Sequence, residues 1–305
     1  MQSNNLPDFF IVGAPRAGTT ALYHYLNQHP DVFVPRVKEP HYFGRDLKFA
    51  APRISFEEYK GLFQPATEKV VGEGSVMYLM SHTAAEEIKE HCPDARIIIM
   101  LRHPVDLIIS LHRKMLLYGN ESIENLEKAL DAEDARKDGR EISPLAHRIN
   151  LLYYSDVIRF GPQVERYFNV FGKENTHVIL YDDFKEDTDS AYKSVLNFLN
   201  LSPEYTPEYK IINFTKNVRF RFIRDLLSFI QVKSSPQVKE LVRKITPNKL
   251  RYAIYAATNR MTQTDKPVTE INNDLKQKLQ IRFQSNIMEL SNILNKDLSM
   301  WLAKY

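Results

Sequence analysis

A chain of 305 residues, 43% hydrophobic and 26% charged, has the composition of an ordinary globular protein, long enough for one large core and with nothing that demands a second domain. Its formal net charge of +3 argues against bulk nucleic-acid binding, while leaving local lysine and arginine clusters to serve an anionic ligand. Cys92 is the only cysteine, which excludes an intrachain disulfide scaffold and fits a reducing compartment, and no window reaches the roughly 20 apolar residues of a membrane span.

The first element is the apolar run Phe9 to Val12, of strand length. Gly13 to Gly18 then hold small residues and a proline, and Thr19 opens a helical pattern to about Gln28. A strand, tight loop and helix in this order turn backbone N–H groups toward one point and add the positive end of a helix dipole. The natural occupant is a phosphate. The spacing Gly13-x-x-x-x-Gly18-Thr19-Thr20 follows the phosphate-loop pattern with Thr19 in the lysine slot, and Arg16 is the cation inside the loop. The loop is therefore expected to bind phosphate without the usual nucleoside-triphosphatase chemistry. A βα turn that binds nothing is the bland alternative.

Val32 to Val34 is a short apolar run before Pro35, followed by a polar, irregular stretch holding Lys38, Glu39 and His41; such stretches lie near strand ends, where sites are built. A helix from about Ser55 to Phe63 and a strand at Lys69 to Gly72 come next. Thr83 with Glu86 reads as a capping box for a helix ending near Cys92. Arg96 to Leu101 is a continuous β-branched and apolar run suited to a central parallel strand covered on both faces, and Pro104 then takes the first position of a helix to about Tyr118. Glu121 to Asp138 reads as a charged amphipathic helix with a solvated face. Ile158 to Phe171 is a helix with Val164, Tyr167 and Phe168 on a core stripe, Thr176 to Tyr181 a strand, and Asp189 to Leu199 a helix.

This alternation predicts an α/β fold, a phosphate-loop-type three-layer α/β/α arrangement around a mainly parallel sheet, over about 6–205. From Thr206 the pattern turns to helices only, at Phe220 to Val232, Gln237 to Val242 and Ile271 to Leu294, joined by the polar stretch Thr262 to Pro267. This helical portion, about 206–305, is expected to cap one end of the sheet within a single domain spanning 1–305.

Ile11 to Thr20, followed by Gln28-His29-Pro30, Lys38-Glu39-Pro40-His41-Tyr42-Phe43 and Leu101-Arg102-His103-Pro104, resembles the sulfotransferases that use 3′-phosphoadenylyl sulfate, in their heparan-sulfate-type and related bacterial branches. The resemblance implies that donor, with 3′-phosphoadenosine 5′-phosphate as product. It assigns the 5′-phosphosulfate to Arg16 and the amides and hydroxyls of Ala17, Gly18, Thr19 and Thr20. Arg102 with Ser110, eight residues on, matches the family's 3′-phosphate motif, and Asn213 to Asn217 resembles its closing loop, with Lys216 as the contact. Glu39 is the implied base for the acceptor hydroxyl, with His41 the second choice. Arginine at 16 keeps the charge of the family's lysine but cannot release a proton, so if the leaving oxygen is protonated another group must do it. Gly74 stands where the glycan branch has a further lysine, leaving its work to Arg16 and Lys38 unless the acceptor class differs; Glu73 and Tyr78 are placed on the acceptor side.

The nine histidines show no convincing ligand spacing, and no metal is expected. A phosphate-loop kinase or hydrolase using Asp182 or Asp183 as a metal-binding acid is the rival enzyme reading, and a non-catalytic nucleotide-binding module the other. The acceptor is expected to carry a hydroxyl, on a glycan first, then a lipid or small molecule; neither a nucleic-acid partner nor a membrane span is expected, and the residues do not fix an oligomeric state. The N-terminus shows no charged segment followed by an apolar leader, and the first strand begins at Phe9, so the expectation is a cytoplasmic, bacterial enzyme.

Overall fold

The computed structural model describes residues 6–49, 52–210 and 271–305, with the backbone of 217–218 and 263–264. A five-stranded sheet organises the first part of the chain. Its strands are β1 (Phe9–Gly13), β2 (Val32–Phe33), β3 (Val70–Glu73), β4 (Arg96–Leu101) and β5 (Thr176–Leu180), in the order β2-β3-β1-β4-β5. Every pairing is parallel, with Phe10 opposite Glu73 and Ile97, and Ile99 opposite Val178.

The mainly parallel sheet expected from the alternating pattern is thus present. Residues Ile97 to Leu101 of β4 are all 0% exposed, so neighbours on alternate sides cover both faces of the sheet. Helices α1 (Thr19–Leu26), α2 (Phe56–Gly61), α3 (Ala84–His91) and α4 (Pro104–Leu117) connect the first four strands and lead away from β4. Pro104 opens α4, where its missing N–H costs nothing. Chain connections run to opposite sides of the sheet from β1 and β4, and the crevice beyond their carboxyl ends is where open α/β sheets bind ligands.

Several local expectations are corrected. Thr83 does not form a capping box: its backbone is already helical (φ −110°, ψ −20°), and its hydroxyl donates to Asp46 Oδ1 at 3.0 Å. Ser81 Oγ accepts from Ala84 N at 2.9 Å instead. A reciprocal box stands at Ser55 and Glu58, on the extended residue before α2.

The charged segment Glu121 to Asp138 is not one solvated helix. It breaks into a loop, α5 (Leu126–Asp131, capped by Asn125) and α6 (Glu133–Lys137). Glu121 and Arg136 are 3% and 1% exposed and pair at 2.9 Å. The Glu121 carboxylate also accepts from the Ser122 and Ile123 amides and from Tyr154 OH, while Arg136 donates to the Leu152 and Glu141 carbonyls. Both charges are buried because each is fully bonded, which helical periodicity does not reveal.

After a 3-10 turn (Ile149–Leu152) and α7 (Tyr154–Val157), the helix expected from Ile158 begins at Phe160 as α8 (Phe160–Phe171). On it Val164 and Tyr167 are buried as expected, while Phe168 is partly exposed. The strand expected through Tyr181 ends at Leu180, where α9 (Tyr181–Glu186) and then α10 (Thr188–Phe198) follow.

The tail is not helical throughout. β6 (Asn217–Val218) pairs antiparallel with β7 (Gln263–Thr264). The helices read at Phe220 to Val232 and Gln237 to Val242 lie outside the described residues. Asn272 caps α11 (Asn273–Leu294), which packs on α4 and α8 and buries Leu279, Phe283, Ile287 and Leu290. A further turn, α12 (Ser299–Leu302), seats Trp301 in the core.

Candidate active site

The loop after β1 is shaped by close approach. A Cβ on Gly13 would lie 2.5 Å from that of Leu79, and Gly18, at φ +88°, lies against Tyr181 and Met100. Ala14 N donates to Met100 O and Ala17 N to Ala14 O, which curls the loop over the end of β4. The amides of Gly18, Thr19 and Thr20 have no backbone acceptor among the described residues. They form the open N-terminus of α1, a ready anion site. Of the amides proposed for phosphate, Ala17 is therefore engaged inside the loop and the other three are not.

Arg16 follows at φ +66° and folds across the crevice. Its Nε donates to Ser110 Oγ at 2.8 Å, while its carbonyl accepts from Arg102 Nη1 at 3.1 Å. The structure thus brings Arg16, Arg102 and Ser110 together, with the serine on Arg16. The Arg102 guanidinium lies 4.8 Å over the Tyr181 ring, and its Nε is buried without a partner among the described residues. Burial first, and then the Arg102 charge, lowers the pKa of Arg16. Two neighbouring cations with an orphaned buried donor fit a bound anion, since anionic oxygens satisfy the donor and relieve the repulsion.

The second half of the site is the loop after β2. Glu39 and His41 both occupy the left-handed region (φ 60° and 50°), an arrangement that costs about 1–3 kcal/mol per residue and needs support. Arg53 provides part of it. Its guanidinium donates to the carbonyls of His41, Tyr42 and Phe43 at 2.7, 3.2 and 2.7 Å, and to those of Gly44 and Leu47. Phe49 stacks on the His41 ring at 4.8 Å.

Three groups surround the Glu39 carboxylate: Lys38 Nζ at 3.2 Å, His41 Nε2 at 3.4 Å and Arg148 Nη1 at 2.9 Å. Burial opposes ionisation of Glu39. The nearby imidazole and the Lys38 and Arg148 charges outweigh it and hold the carboxyl well below the ordinary carboxylate range. Burial pushes His41 down, against the pull of Glu39, so its imidazole is neutral near pH 7.

Gly74 has no room for the lysine of the glycan branch. A Cβ there would lie 2.8 Å from the Tyr23 ring, whose hydroxyl is fixed to Pro35 O. Lys38 takes the adjoining space: its Cε is 3.9 Å from that Cβ position and its ammonium sits over the Tyr23 ring.

The acceptor-side placement of Glu73 and Tyr78 is corrected, because both are 0% exposed and lie beneath the loop. Strand β3 is sandwiched inside the sheet, so its last residue points into the core. Lys216 lies outside the described residues. Asp182 accepts from the Trp301 indole at 2.8 Å and Asp183 pairs with Lys296 at 2.7 Å, so both acids hold the C-terminal segment. Among the described residues no group of three or more His, Cys, Asp or Glu is arranged to hold a metal, and no helix is long and apolar enough to cross a membrane. Arg148 and Arg53 went unread in the sequence, since each sits in aperiodic chain and reaches the site only through folding.

The profile described as "Sulfotransferase domain" matches residues 6–286. A sulfotransferase crystal structure from Alicyclobacillus acidocaldarius superposes with a TM-score of 0.70 at 26% identity, covering 97% of this chain and 98% of that one. Mouse carbohydrate sulfotransferase 15 is 23% identical over 253 residues, 65% of this chain and 44% of its own length. Mouse heparan sulfate glucosamine 3-O-sulfotransferase 5 is 25% identical over 224 residues, 72% of this chain and 61% of its own. The chain thus spans about half the length of these curated relatives.

Proposed function

As the chain belongs to the sulfotransferase domain family, we propose that it transfers a sulfuryl group from 3′-phosphoadenylyl sulfate to an acceptor hydroxyl. The observation that carries this reading is the convergence, at one crevice, of the open amides of Gly18, Thr19 and Thr20 with the guanidinium groups of Arg16 and Arg102.

Sulfuryl transfer asks the protein to align the attacking and leaving oxygens, neutralise charge on the departing phosphate and receive a proton from the acceptor. In this reading the 13–20 loop and Arg16 hold the 5′-phosphosulfate, and Arg102 takes the 3′-phosphate. Ser110 fixes the Arg16 side chain by accepting from Nε. Lys216 contributes a donor contact as part of the proposal.

Glu39 is the base. Its charge persists well below neutrality, so it is ready to accept a hydrogen bond from the acceptor hydroxyl, and the Arg148 charge is one of the groups that hold its basicity down. Neutral His41 stands beside it as a second proton acceptor. Lys38 supplies the cation next to Gly74. The acceptor is a glycan hydroxyl in the leading version, supported by the Lys38 to Phe43 segment and by the names of the relatives, with a lipid or small molecule behind it. One domain over 1–305 and a cytoplasmic setting, the latter supported by a lone buried cysteine, belong to the same proposal; no metal enters it.

Titration with 3′-phosphoadenosine 5′-phosphate and with ATP, each with and without magnesium, tests the reading. Metal-independent preference for the bisphosphate is the expected result, and magnesium-dependent preference for ATP overturns it.

A further inference from the structure

The guanidinium that meets Glu39 comes from a stretch of chain without regular structure. Arg148 stands just ahead of the 3-10 turn at φ −131° and ψ 62°, outside both the helical and the extended wells. Its backbone is held instead by a side chain. Asn120, 1% exposed, gives its Oδ1 to the amides of His147 and Arg148 at 2.9 and 3.1 Å. Two N–H donors on one carbonyl oxygen use both of its lone pairs.

The surrounding chain is pinned as well. Ser143 Oγ donates to Gly119 O at 2.7 Å, so the approach to Arg148 is tied to the residue beside Asn120. Arg136 donates to Leu152 O at 3.1 Å and holds the far end of the turn. Between them Asn150 Oδ1 accepts from Lys48 N at 2.7 Å, which joins the turn to the loop after β2.

The consequence falls on the Glu39 carboxylate. Lys38 Nζ donates to Oε1 at 3.2 Å and Arg148 Nη1 to Oε2 at 2.9 Å. Lys38 and His41 belong to the same loop as Glu39 and travel with it. Arg148 reaches in from 109 positions away, and so ties the carboxylate to the body of the fold.

Resting on the reading of Glu39 as base, we propose that Asn120 and Arg148 are positioning residues acting in series: Asn120 fixes the chain at His147 and Arg148, and Arg148 fixes the Glu39 carboxylate. Asn120 lies two residues past Tyr118, which closes α4, and the same helix carries the Ser110 that holds Arg16. Helix α4 thereby braces both halves of the crevice, the cation of the 13–20 loop at one point and the carboxylate at another. The groups facing that carboxylate are Lys38 and His41 of its own loop and Arg148 ahead of the 3-10 turn, and the two cations help to keep it ionised. A displaced Arg148 therefore lets the carboxyl titrate closer to its ordinary range.

The test compares the full wild-type chain with Arg148→Met, Asn120→Ala, the double variant and Glu39→Gln. Readouts are the NMR titration of the Glu39 carboxyl carbon, assigned by its absence in Glu39→Gln, calorimetric affinity for 3′-phosphoadenosine 5′-phosphate, and kcat and KM for hydrolysis of 3′-phosphoadenylyl sulfate by water. Arg148→Met is expected to raise the titration midpoint and to lower kcat about 10- to 100-fold, the scale of a slightly misplaced catalytic group, with KM and nucleotide affinity kept. Asn120→Ala moves midpoint and kcat in the same directions. It adds nothing once residue 148 is methionine, because residues that act through one another are not additive. Asn120→Ser, with a polar side chain too short to hold both amides, makes the same comparison if Asn120→Ala does not fold. An unchanged midpoint in either single variant overturns the proposal, and so do effects that add in full in the double variant. The titration reads the brace without turnover. Full hydrolysis by Glu39→Gln, with the midpoint still raised in the single variants, removes Glu39 as base and leaves the positioning of its carboxylate standing.

Discussion

Gly18→Ala should separate backbone strain from ligand geometry. Alanine at φ +88° costs about 1–2 kcal/mol for the left-handed conformation alone. Its Cβ would also sit 3.0 and 3.2 Å from two carbons of the Tyr181 ring and 3.3 Å from Met100 Cε. Relieving such contacts in a filled interior costs about 1–3 kcal/mol more. Gly139, at φ +80° with open space around the equivalent position, is the matched control, because alanine there meets the conformational penalty and nothing else. The difference between the two variants is the steric push on Tyr181. That ring carries the Arg102 guanidinium at 4.8 Å, so the push displaces the residue proposed to hold the 3′-phosphate. Loss of one charge-assisted hydrogen bond is about 1.5–3 kcal/mol, or about 10- to 100-fold in affinity. Thermal unfolding and calorimetric titration with 3′-phosphoadenosine 5′-phosphate read both quantities. Gly18→Ala should melt below Gly139→Ala and bind the nucleotide about 10- to 100-fold more weakly, while Gly139→Ala binds normally. Equal affinity in the two variants would refute the link from Gly18 through Tyr181 to Arg102.

Glu39→Gln should lower radiosulfate transfer about 10²- to 10⁴-fold with nucleotide affinity unchanged, as expected for loss of a general base. Arg148→Met removes one of the charges that depress Glu39. A carboxyl whose folded pKa lies below its unfolded value stabilises the fold above about pH 4.5 and loses that contribution as pH falls through the folded value, so urea unfolding between pH 7 and 3 should show a shallower acid loss in Arg148→Met than in wild type. Glu121→Gln leaves Arg136 buried opposite a neutral partner and should cost about 3–5 kcal/mol in denaturant unfolding. Because this pair forms no part of the proposed nucleotide crevice, affinity in the surviving folded protein should hold.

The elements that recur with a clear period were legible in the chain. Phe9 to Val12 and Arg96 to Leu101 are strands because continuous apolar runs suit a sheet covered on both faces, and Pro104 marks the start of α4. The 13–20 loop was legible because glycine spacing reports backbone geometry directly. Partners set by folding were not. Arg148 meets Glu39 across 109 positions, and Arg16 meets Ser110 across 94. Glu73 was placed on the acceptor side through the resemblance of its segment to the glycan branch, yet its register opposite Phe10 in the middle of the sheet buries it. Glu121 and Arg136 looked solvated for the corresponding reason: charge in a sequence does not show whether a bonded partner waits inside the fold.

A crystal structure of the complex with 3′-phosphoadenosine 5′-phosphate tests the central claim most directly. The account predicts the 5′-phosphate on the amides of Gly18, Thr19 and Thr20 beside Arg16, with the 3′-phosphate on Arg102. A nucleotide seated with neither phosphate on these groups would contradict it.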